Sequence, residues 1–104
     1  MVERLVIIED DEKSAEVIKD LLFVDGLQTL LICRTLAEGL LALRDLAPTC
    51  VILDLGLPDA KGVHAVEEIT KNFPETPIVV VTGHLNLAKE SVRAGAEDIL
   101  IKGA

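Results

Sequence analysis

The chain alternates short aliphatic runs with stretches of helical periodicity. Leu5-Val-Ile-Ile8 is a continuous apolar run that stops at Glu9-Asp10-Asp11, and it reads as a buried strand. Residues 12 to 24 place Ala15, Ile18, Leu21 and Leu22 on one helical face and Lys13, Glu16, Lys19 and Asp20 on the other, with Gly26 just beyond as a stop. Leu27 to Cys33 reads as a second strand. Thr35 fits the N-cap of a helix over 36 to 46, with Glu38 at the capping-box position and Pro48 closing the segment. Cys50 to Leu53 is a third strand, halted by Asp54. Gly56, Pro58 and Gly62 mark a loop, and Val63, Val66, Ile69 and Phe73 then recur at helical spacing. Pro74 and Pro77 frame the connection to a fourth strand, Ile78 to Val81, which ends at Thr82-Gly83. A short helix over 86 to 94, stopped by Gly95, leads to a fifth strand, Ile99 to Ile101, and Lys102.

Strands separated by crossover helices predict an α/β domain with a parallel sheet and right-handed connections. Its 104 residues suit one domain, 1–104, without repeats or linkers. Leu, Val, Ile and Ala supply nearly all the core, and Phe23 and Phe73 are the sole aromatics, as suits parallel strands covered on both faces. With 18 acidic against 10 basic residues the net charge is −8, which argues against nucleic-acid binding by the domain itself. Cys33 and Cys50 are too few for a disulfide framework and read as small core residues in a reducing compartment. No run approaches the ~18 apolar residues of a membrane span, and the N-terminus opens directly into a strand pattern, so a cytoplasmic location is expected.

Four of the five strands are followed, at their C-terminal edge, by a polar residue that interrupts the apolar run. These residues are Glu9 and Asp10, Asp54, Thr82 and Lys102. In an open parallel sheet those edges share one rim, where ligands bind. Three carboxylates at close range stay ionised only when a cation joins them, and hard oxygens suit Mg²⁺. Lys102 offers a point charge for an anion and Thr82 a hydroxyl donor. Around one carboxylate this is equipment for stabilising a transferring phosphoryl group, with a carboxylate as nucleophile.

These residues, with their neighbours, resemble response-regulator receiver domains of bacterial two-component systems over residues 4 to 102. The matching segments are Leu5-Val-Ile-Ile-Glu-Asp-Asp11, Val51-Ile-Leu-Asp-Leu-Gly-Leu-Pro58 with Gly62, Val79-Val-Val-Thr-Gly83, and Ala94-Gly-Ala-Glu-Asp-Ile-Leu-Ile-Lys102. The Asp-x-x-x-Pro-x-x-x-Gly spacing from Asp54 to Gly62 is particularly specific. The resemblance implies a flavodoxin-like three-layer sandwich with strand order 2-1-3-4-5. It implies Asp54 as phosphoacceptor, served by a histidine kinase or a histidine phosphotransfer protein. Glu9, Asp10, Asp54 and the Gly56 carbonyl would hold Mg²⁺, Thr82 would be the switch hydroxyl, and Lys102 would pair with the phosphate. Gly83 would leave the acceptor accessible, and Gly56 and His84 would fall at positions that tune acyl-phosphate lifetime. His64 reads as a surface histidine.

The sequence departs from that family in three ways. Gly103 stands where proline usually follows the lysine. Ile99 replaces the usual aromatic, and the span from Thr82 to Lys102 is about two residues short. The fifth helix is missing, which is expected to bare aliphatic side chains of the central and later strands, a patch on the order of several hundred Å². A longer natural chain, a partner protein or a homodimer through the face near strands four and five would each cover it, and self-association is the expectation. Two functions compete: a phosphorylation-dependent switch, and a receiver-like interaction module with impaired switching. An aspartyl-phosphate hydrolase is disfavoured because Asp54 lacks a second Asp two residues on. A nucleotide or flavin binder is disfavoured because no Gly-rich loop follows the first strand.

Overall fold

The computed structural model describes residues 3–21 and 27–102. Five strands, β1 (Glu3–Ile8), β2 (Leu27–Cys33), β3 (Cys50–Asp54), β4 (Ile78–Thr82) and β5 (Asp98–Ile101), alternate with four helices, α1 (Glu12–Leu21), α2 (Leu36–Leu46), α3 (His64–Asn72) and α4 (Leu85–Ala94). The sheet is parallel throughout, in the order β2-β1-β3-β4-β5. The chain therefore reverses its winding between β1 and β3, and that switch point positions the site. Every predicted element is present. β3 and β4 each run one residue further than expected, so Asp54 and Thr82 are the last rungs of the ladder rather than the first loop residues. Phe23, Gly26 and Gly103 lie outside the described residues.

The strand runs are aliphatic because both faces are covered. Val6, Ile8, Val51, Leu53 and Val80 point to one face, where they pack with Leu43 of α2 and Ala65, Val66 and Ile69 of α3; Leu87 and Ala94 of α4 extend this layer. Ile7, Ile52 and Val81 alternate to the other face, against Ile18 of α1. Each Ile or Leu taken fully out of water contributes about 1.5–3 kcal/mol.

The bare face is narrower than expected. Ile52 and Val81 are 4% and 6% exposed, Cys50 and Val79 are half-buried, and among the described sheet residues on that side the exposed ones, Asp98 and Leu100 (55% exposed), both belong to β5. The covered strip reduces the area argument for self-association to the edge strand β5.

Local signals fix the helix ends. Thr35 caps α2, its Oγ1 accepting from Glu38 N at 3.1 Å, as the sequence predicts. The reciprocal half differs: Glu38 Oε2 reaches past the cap and accepts from Arg34 N at 2.8 Å. Gly62 ends the loop after β3 with φ +57, a left-handed conformation that glycine adopts at no steric cost. Gly95 closes α4 with φ +124.

Gly39 of α2 is required by proximity rather than by conformation. A Cβ there would overlap Ile8 Cδ1 and lie 2.9 Å from Cγ1, and Ile8 has no exposed surface into which to retreat. Gly39→Ala is expected to lose about 1–3 kcal/mol to overpacking, although alanine is the better helix former by about 1 kcal/mol. Urea unfolding checks this, and a variant more stable than wild type, by the alanine propensity gain alone, would contradict the close approach of α2 to β1.

Candidate phosphoacceptor and metal site

The sheet brings Glu9, Asp10, Asp54, Thr82 and Lys102 to one rim. Glu9 directly follows β1, and its backbone N–H donates to Cys33 O at 2.8 Å. Asp54 ends the adjacent β3. One carboxylate oxygen from each of Glu9, Asp10 and Asp54 falls within 4.8 Å of the others. Glu9 is 1% exposed, Asp54 is buried and Asp10 is open to solvent. The third acid of the run, Asp11, is withdrawn: its Oδ2 accepts from Ser14 N at 3.1 Å and Ser14 Oγ at 2.7 Å, capping α1.

Lys102 reaches this cluster from the far side. Its backbone N–H donates to Thr82 O at 2.8 Å, one step beyond the β4–β5 pairing, which aims the side chain inward. Nζ then donates to Glu9 Oε1 and Asp54 Oδ1, both at 3.0 Å. Thr82 is buried, and its Oγ1 accepts from His84 N at 3.2 Å, which leaves the hydroxyl proton to be donated. Gly56 N donates to Asp54 Oδ2 at 3.2 Å. A Cβ on Gly83 would meet nothing within 4 Å, so the space beside Thr82 is open. Ile99 is half-buried against the main core, and His64 is exposed, 3.9 Å from Glu68.

The electrostatics follow from crowding. Burial, a hydrogen bond shared with Asp54 and that residue's charge raise Glu9 to about 7, against the opposing pull of Lys102. Burial would raise Asp54 as well, but the hydrogen bond from Glu9 and the Lys102 ammonium outweigh it and hold Asp54 below the usual carboxylate range. Burial works against the charge of Lys102, and its bonds to Asp54 and Glu9 overcome that and raise it. Glu9 Oε2 is buried without a hydrogen-bond partner. With Glu9 ionised, three carboxylates face one ammonium, an unmet charge of the size a divalent cation supplies. A partnerless buried carboxylate oxygen and an all-oxygen donor set fit Mg²⁺. Glu9 also borders a cleft of about 180 Å³ lined by Glu12, Glu16 and Arg34, which adds negative potential beside the cluster.

One contact had no counterpart in the sequence reading. Asp59, in the loop after β3, accepts from Leu36 N at 2.8 Å and Ala37 N at 3.0 Å, the first turn of α2. Those backbone hydrogen bonds hold its carboxyl below the usual range. The signal available in the sequence was an acid after Pro58, but its partners lie more than twenty residues upstream and no local spacing reveals them.

The fold has counterparts among solved structures. The receiver domain of NtrX from Brucella abortus aligns with a TM-score of 0.84 at 29% identity, covering 96% of this chain and 86% of that one. A CheY-like receiver domain protein from Methanospirillum hungatei aligns with a TM-score of 0.83 at 26% identity, over 100% of this chain and 84% of that one. In sequence, the chain is 27% identical to chemotaxis protein CheY of Thermotoga maritima over 98% of this chain and 87% of that protein. It is 31% identical to the luminescence regulatory protein LuxO of Vibrio campbellii over 91% of this chain, but spans only 21% of that protein's length. The response regulator receiver domain family matches residues 5–104. With five parallel strands in the order 2-1-3-4-5 and an acidic rim facing one lysine, the chain belongs to the response regulator receiver domain family.

Proposed function

We propose that this domain accepts a phosphoryl group on Asp54 from a histidine kinase or histidine phosphotransfer protein, with Mg²⁺, and thereby switches a protein–protein interaction. The observation that supports this most is the double contact of Lys102 Nζ, 3.0 Å from both Glu9 and Asp54, within the carboxylate cluster that Asp10 completes. Asp54, held ionised, supplies the attacking oxygen: a P–O bond forms, the donor's P–N bond breaks, and the departing imidazole takes its proton from solvent. Glu9, Asp10 and Asp54 would hold Mg²⁺, with the Gly56 carbonyl joining them. When bound, the ion neutralises charge on the acids and on the transferring phosphoryl oxygens. Lys102 is positioned to exchange a carboxylate partner for a phosphoryl oxygen, and Thr82 to donate its hydroxyl proton to another. The intact acid set favours this over an interaction module that has lost switching.

No described helix is long and apolar enough to cross a membrane. As a domain that modifies only itself, this chain would act as a substrate of its partner rather than as an enzyme.

Three outcomes are expected. Asp54→Asn should abolish uptake from a small phosphodonor with Mg²⁺ while circular dichroism stays native; undiminished uptake would remove Asp54 as acceptor. Asp10→Ala should weaken Mg²⁺ binding measured by calorimetry about tenfold or more, and a titration matching wild type would count against the metal role. The third is a pH dependence in chelator. Glu9 binds its proton up to about 7 in the folded state and near 4.5 when unfolded. The folded state therefore holds more protons in that window, and the stability from protonated Glu9, complete below 4.5, is lost as pH rises through about 7. Urea midpoints across this range should fall more steeply for wild type than for Glu9→Gln; parallel profiles would contradict the raised value.

A further inference from the structure

The end of β2 and the first turn of α2, Cys33 to Gly39, carry none of the groups assigned to the chemistry, yet both halves of the acidic rim are tied to them. On one side, Glu9 N–H is bound to Cys33 O at 2.8 Å, and the residue before Glu9, Ile8, lies against Gly39. On the other, the loop carrying Gly56 is bound through Asp59 to Leu36 N and Ala37 N. Thr35 already caps α2 from within its own segment, through Glu38 N. Asp59 thus adds two bonds to a helix that has its own cap, and those bonds cross between elements more than twenty residues apart. We infer that Asp59 is a positioning residue: it docks the loop from Asp54 to Gly62 on the first turn of α2, and so sets the spacing of Asp54 and Gly56 from Glu9.

Asp59 does not touch the carboxylate cluster. It acts through the four residues, Leu55 to Pro58, that join it to Asp54, in a loop closed at its far end by Gly62 with φ +57. With the Asp59 bonds in place the loop is fixed at Asp54 by the sheet, in the middle by α2 and at Gly62 by the turn into α3. Without them the exposed turn at Pro58 and Asp59 is held only by Leu57 and Ala60, buried on either side of it, and oxygens that must converge on one small cation are set less closely.

This rests on the phosphoacceptor reading, and the test separates the two. Mg²⁺ affinity is measured by calorimetry at about 0.15 M salt, where an exposed charge is largely screened, on wild type, Asp59→Ala, Asp59→Asn and Thr35→Ala. Asp59→Ala should bind Mg²⁺ about tenfold more weakly or worse. Asp59→Asn, which keeps one acceptor oxygen, should lose less. Thr35→Ala, which strips a cap from the same helix without touching the loop, should bind as wild type does. Affinity unchanged in Asp59→Ala, an equal loss in the Ala and Asn variants (a pure charge effect), or an equal loss in Thr35→Ala would overturn the positioning role. Should Asp59→Ala not fold, a loss in Asp59→Asn that Thr35→Ala lacks still supports the role, and its absence refutes it. Wild-type protein that takes up no Mg²⁺ would overturn the phosphoacceptor reading itself, and this inference with it.

Discussion

The rest of the structure depends on one electrostatic constraint. A parallel sheet wound from β1 outward in both directions places the ends of β1 and β3 side by side, and here both ends carry an acid. Two buried carboxylates in adjacent strands repel, and each is costly to keep charged without a partner. The chain meets this with one ammonium brought from the end of β5, hydrogen-bonded to both. Because Nζ can reach only if β5 is in register, the ion pair also fixes where the edge strand stops. The backbone bond from Lys102 to Thr82 carries that register one residue past the strand.

A single positive charge shared between two acids leaves the cluster short of cation, and the shortage falls unevenly. Asp54 accepts from both Lys102 and Gly56 and stays ionised. Glu9 shares Lys102 but leaves Oε2 buried and partnerless, and it holds a proton up to about 7. Two carboxylates in one small space are therefore given different protonation by their surroundings. The one proposed as nucleophile is the one kept charged.

Much of this was legible in the sequence because the relevant signals are local. Aliphatic runs halted by Glu9, Asp54, Thr82 and Lys102 mark strand ends, and the order of elements implies a common rim. Thr35 at the start of a periodic stretch and Gly95 at the end of one mark caps, and both are observed. The misses come from interactions that span distance. Whether Ile52 and Val81 lie open depends on how much of the sheet α1 covers, which periodicity does not report. The reach of Glu38 to Arg34 depends on rotamer choice at a cap whose sequence fits either geometry. The Asp59 bonds join segments that are remote along the chain and adjacent only once the sheet has formed.

Those long-range bonds bear on how a rim this small could serve as the switch proposed for it. Shifting the strands would break the ladder, so the loops after β3 and β4 are where the proposed phosphorylation would meet least resistance. The two loops are held differently. The one after β3 is held at Asp59 by two charge-assisted bonds to α2. The one after β4 is held near its start by a 3.2 Å bond from His84 N to Thr82 Oγ1, with open space beside Gly83. If Thr82 Oγ1 were drawn toward a new oxygen, the move would strain the weaker of these restraints and leave the stronger in place. Under the proposed function this would divide the labour, the β3 loop holding the proposed acceptor still while the β4 loop and the helix it leads into are the freer to move.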